Sequence, residues 1–158
     1  MSILSLACSL ASGQPLSKED YQAGPVAVGR FIRDILPVIG EPKEVSRHDQ
    51  PQTGGIANVD GRDTVLLPDV YYVYEFDSLT IHTNGHGSIE YFRFRRCDFK
   101  TPRGIHVGDS AEAVTLAYGD NTMHESEVAY LQDGVAMGIW FGFSAGRVTS
   151  ISMGWYTP

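Results

Sequence analysis

Six short runs rich in apolar, β-branched and aromatic residues read as strands, and where apolar and polar residues alternate at every second position, as in Leu79 to His82 and Phe92 to Arg95, one face of the strand is buried. The stretches are Tyr72 to Phe76, Leu79 to His82, Ile89 to Arg96, Val128 to Leu131, Val135 to Phe143 and Val148 to Met153. Asn84-Gly85-His86-Gly87 and Ser144-Ala145-Gly146 separate members of each set, so each set of three predicts an antiparallel meander. Helical spacing replaces alternation at Ala113, Val114, Ala117 and Tyr118. There an extended lead-in, Thr101 to Gly108, is followed by Asp109 and Glu112 as a variant capping box, and Gly119 supplies the stop. A matching helix is expected earlier, with Pro25 in its first turn, Gly40 as its stop and Pro37 kinking or shortening it.

The two helical segments are related. Val28-Gly29 through Ile39-Gly40 recurs 79 positions on as Val107-Gly108 through Tyr118-Gly119, with Val26 falling on Ile105 and Glu41 on Asp120. A fixed internal shift predicts duplication of one supersecondary unit. The expected fold is therefore α+β: two tandem repeats, each a helical segment packed on an antiparallel meander, forming one curved sheet with helices on its convex face. Residues 1–20 form an N-terminal segment, 21–100 the first repeat and 101–158 the second. The first repeat is longer by a Gly-, Asp- and Pro-rich stretch, 46–68, read as a surface loop or an extra short strand around Thr64 to Leu67. Phe92 and Phe94 match Ile151 and Met153, which assigns the helix-covered face. By alternation the other face carries Tyr91, Arg93 and Arg95, then Ala136, Gly138 and Trp140, with Thr80 and His82 beside them.

The segment Gly104-Ile105-His106-Val107-Gly108-Asp109-Ser110, with Val114, Tyr118-Gly119 and the paired meanders, resembles the β-lactamase-inhibitor-protein-like fold and related small bacterial envelope lipoproteins. The resemblance runs from about residue 21 to the end. It implies protein binding through the exposed concave face of the sheet. The paired cysteines that the inhibitor has in each repeat are absent here, and no inhibitory loop matches residue by residue.

Composition narrows the function classes. The apolar fraction is 42%, with 7 Phe, 8 Tyr and 2 Trp, which excludes disorder; 17 Gly and 8 Pro favour turns over long helices. A net charge of −7 sets the surface against nucleic-acid phosphate. No apolar run reaches the roughly 20 residues needed to span a bilayer, so the chain is not read as integral to a membrane. Cys8 and Cys97 lack zinc-ligand spacing, and whether they pair is left open. Residues 1–13 look like the end of a secretory leader before a cysteine, but no basic residue precedes Lys18 and Leu4 is misplaced by one. An ordered N-terminus and a cytoplasmic protein are expected, with export or lipid anchoring as the alternative.

Catalytic motifs fail on context. Gly142-Phe143-Ser144-Ala145-Gly146 has the spacing of a nucleophile elbow, yet a strand rather than a helix follows it and no histidine lies beyond His124. His82 and His86 flank a turn, with Glu75, Asp77 or Glu90 as the nearest further ligands, so no metal or cofactor is expected. His106 and His124 have no acidic residue placed to orient them. Arg93, Arg95, Arg96, Lys100 and Arg103 concentrate positive charge. On an exposed strand, charge of this kind protects an edge; beside Tyr91 and Trp140 it makes an interface anchor. The expected function is non-enzymatic binding of another protein, such as one presenting an acidic loop, through Tyr91, Arg93, Arg95, His82 and Trp140. A small-ligand cleft between the repeats, or a hydrolase built on His82 with Glu75 or Glu90, are the alternatives.

Overall fold

The computed structural model describes residues 14–49, 56–59, 62–65, 70–96, 98–121, 126–132 and 135–155. Cys8, Cys97, His124 and the leader-like start lie outside them. The strands of the main sheet are β3 (Glu44–Asp49), β6 (Val70–Glu75), β7 (Leu79–Asn84), β8 (Ile89–Phe94), β9 (Glu127–Leu131), β10 (Met137–Ser144) and β11 (Arg147–Trp155). All neighbours are antiparallel, in the order β3-β6-β7-β8-β11-β10-β9. Among the described residues two further two-stranded hairpins form, β1 (Gln22–Ala23) with β2 (Val26–Ala27), and β4 (Ile56–Val59) with β5 (Arg62–Val65).

Two eight-residue helices accompany these strands, α1 (Ile32–Ile39) and α2 (Ala111–Tyr118). The fold is thus mostly β, and the expected α+β pair of tandem repeats with helices on a convex face is overturned. Two helical turns each are too little to make a layer. Moreover β3 and β4–β5 in the first half have no counterpart among the described residues of the second, where β1–β2 is matched only by an isolated bridge between Lys100 and His106. The 79-residue recurrence marks local backbone features instead: Gly29 and Gly108 before the helices and Gly40 and Gly119 after them all have positive φ. Gly29 donates to the carbonyl of Ile89 and Gly108 to that of Val148, tying each helix start to a strand.

Several boundaries move. Pro25 follows Gly24 in the β1–β2 turn rather than opening α1. Pro37 is inside α1, which stays short. The N-cap of α2 is Ser110, whose hydroxyl accepts from the Ala113 amide. Asp109 is the residue before it, and its carboxylate accepts from the His106 amide and lies 2.6 Å from His106 Nδ1. His106 therefore does have an orienting acid. The stretch expected as loop begins with the end of β3 and carries β4 and β5.

One face of the sheet is dry. Ile81, Phe92, Phe94, Ile139, Phe141, Ile151 and Met153 are fully buried, and Ile32 and Ile35 of α1 with Val114 and Tyr118 of α2 join the same core. In α1 the apolar stripe Ile32, Ile35, Leu36 and Ile39 follows helical spacing. Tyr118 packs on Phe141 and Tyr130, and the Tyr130 hydroxyl donates to the Gly119 carbonyl at the end of α2.

Candidate functional site

Strand parity places a second set of side chains on the opposite face of the sheet. The register aligns Glu75, Thr80, Arg93, Ser152 and Trp140 in one row across β6, β7, β8, β11 and β10. The adjacent row runs Val73, His82, Tyr91, Gly154 and Gly138. An open hollow of about 570 Å³ lies over these rows. Tyr91, Arg93, Arg95, His82 and Trp140, the five residues expected to contact a partner, all line it. A second hollow of about 580 Å³ adjoins it, with Arg93, Trp140 and Glu127 lining both.

Two glycines shape the floor. At Gly138 an added Cβ would come within 3.0 Å of the Trp140 ring, so the indole folds over the glycine beside it. The space above Gly138 is thus taken by Trp140 itself. At Gly154, φ is 136°, and a Cβ would fall 2.2 Å from the Glu90 carbonyl. Only glycine permits that approach of β11 to β8.

Arg93 lies along the floor. One terminal nitrogen donates to Ser150 Oγ at 3.0 Å, while Nε is shut off from solvent and has no acceptor among the described residues. Glu75 accepts from the Thr80 hydroxyl at 2.8 Å. His82 lies between Tyr71 and Tyr91, with ring centroids 6.3 and 5.1 Å away, and His48 of β3 stacks on Tyr71. Burial lowers the His82 pKa below its ordinary value; Glu75 works in the opposite direction and His48 in the same one.

The other basic residues separate from this set. Arg96 pairs with Asp98 and sits over the Phe99 ring. Arg103 grips Asp20 through Nε and Nη2 at 2.8 and 2.9 Å, donates to the carbonyls of Gln14, Pro15 and Ala117, and covers the Tyr118 ring. Asp77 is held by Lys43 on the surface. Ser144 ends β10 and Arg147 begins β11, with Ala145 and Gly146 both at positive φ between them; the serine motif is a hairpin. Among the described residues no group of three His, Cys, Asp or Glu is placed to hold a metal ion, and no helix is long and apolar enough to cross a membrane.

Sequence reasoning missed Ser152, Glu127 and Trp155 in the lining of the first hollow. Ser152 was within reach, because it falls between the core residues Ile151 and Met153. Trp155 was not, since alternation from Ile151 and Met153 assigns it to the core side, whereas it lines the hollow and is 42% exposed.

No known family profile matches the chain, and no curated protein matches it. Among solved structures it is similar to the uncharacterized protein yfeY from Escherichia coli, with a TM-score of 0.42 and 11% identity over 85% of this chain and 97% of that one.

Proposed function

We propose that this protein captures another protein, without catalysis, through the face of the sheet opposite its core. One observation carries the reading: both tryptophans of the chain, Trp140 and Trp155, line a single hollow with Tyr91, Arg93 and Arg95. Trp, Tyr and Arg dominate the energetics of protein interfaces, and they do so when clustered at the centre of a patch. Trp155 is 42% exposed, apolar surface that a partner would remove from water. The partner's complement is not a run of acids. Glu75 and Glu127 line the same hollow as the two arginines, so each further carboxylate meets repulsion at the flanks.

The test is differential capture from the native host's lysate, comparing the unaltered chain, an Arg93→Ala/Trp140→Ala variant and a Leu116→Ala control on the exposed side of α2. A protein retained by the first and third and lost by the second supports the face. Equal retention by all three rejects it. A small-ligand reading is favoured by the hollow's volume, which lies within the range of about 300–1,000 Å³ for such sites. Stabilisation in a thermal-shift screen, abolished by Trp140→Ala, would support that reading.

A further inference from the structure

We infer that the group seated at the centre of this hollow is a single side-chain carboxylate, an Asp or Glu within the partner's docking segment, held by Arg93. The inference rests on the docking reading above and names its chemistry. Arg93 occupies the middle of the row, with Thr80 and Ser152 as its cross-strand neighbours. Arg47, Arg96 and Arg103 each hold a carboxylate of this chain, whereas among the described residues Arg93 forms no ion pair. Among the described residues its one side-chain bond goes to the Ser150 hydroxyl, and its Nε–H has no acceptor. A buried donor left unmade is costly, and a guanidinium presents donors in a fork that a carboxylate meets with two parallel bonds. A modest swing of the side chain to offer Nε and a terminal nitrogen would satisfy both.

The surroundings select one carboxylate with an apolar neighbour. Glu75 is two strands from Arg93, about 10 Å at the usual strand spacing, and is already engaged by Thr80. A second acid reaching that flank is repelled, and a cation at the centre is repelled by Arg93 and Arg95. On the other side the ring of Trp140 and the exposed Trp155 offer apolar surface to the residue beside the acid.

The probe is the amidated peptide acetyl-Gly-Glu-Phe-Gly-NH2, titrated into the full chain while tryptophan fluorescence is followed; both tryptophans line the hollow and the probe has none. The Glu probe should give a saturable change, and its Gln counterpart should bind at least about tenfold more weakly. Arg93→Gln should bind the two probes alike. Equal binding of both probes by the unaltered chain, discrimination that survives in Arg93→Gln, or no saturable response to the Glu probe would each overturn the inference. Tighter binding of acetyl-Gly-Phe-Gly with a free carboxyl end would assign the site to a chain terminus instead and also overturn it. These outcomes leave the docking face untouched, because that reading stands on differential capture of the whole partner.

Discussion

Arg103 commits its whole guanidinium to the fold: two bonds to Asp20, three to main-chain carbonyls and a stacked ring beneath. Its side chain is 16% exposed and that of Asp20 8%, so removing the cation leaves a nearly buried carboxylate without its counter-ion. Arg103→Ala should cost about 3 kcal/mol in urea unfolding. Burial pushes Asp20 upward, but the bonds from Arg103 and Ser17 outweigh it and hold the carboxyl below its ordinary 3.8. A folded-state value below the unfolded one stabilises above pH 4 and is lost on acidification through the folded value. The unaltered chain should therefore lose stability below about pH 4 more steeply than Asp20→Asn. The sign at His82 is also that of a lowered pKa, but for a base. Protonation of its ring on acidification therefore favours the unfolded chain. Nuclear magnetic resonance should find its midpoint under 6.5. The cluster of basic residues was legible in the sequence, but its division was not: strand parity separates Arg93 and Arg95, whereas the acid that claims Arg103 lies 83 positions away.

Turn chemistry governs the elements. The β10–β11 loop has two residues, Ala145 at φ 48° and Gly146 at φ 73°, the geometry that favours glycine or asparagine at both positions. Ala145→Gly should raise stability by about 1 kcal/mol, read as a higher melting temperature. Gly154→Ala should lower it by about 1–3 kcal/mol or more, because the new methyl meets the main chain of Glu90 and Tyr91 rather than a movable side chain. Strands were legible from short apolar runs bounded by turn residues, with alternation added in β7 and β8, and β6 to β11 fall close to the expected ranges. β3 was not. Glu44-Val45-Ser46-Arg47-His48-Asp49 is an edge strand, largely exposed on both sides, so no apolar period marks it. The helix signals misled because a glycine, two turns and a glycine are a local motif. They say nothing about whether a second layer forms.

For the whole molecule, a single sheet separates two environments. Its core side is closed by α1, α2 and the segment around Tyr21, Ala23 and Val26. Its other side carries the hollow, where Ser150 and Ser152 are buried beneath larger neighbours such as Arg93 and Trp140. The five residues selected by parity meet there because β8 pairs with β11, joining strands from both sides of residue 100. The contents of that face were thus readable in the sequence, while the strand order that brings Trp140 beside Arg93 was not. Replacing both tryptophans with 5-fluorotryptophan gives two fluorine resonances, one from each lining residue, and titrating the captured partner is the most direct measurement. Both resonances should move and saturate together as the complex forms. A complex that forms with both unmoved would contradict the assignment of this face.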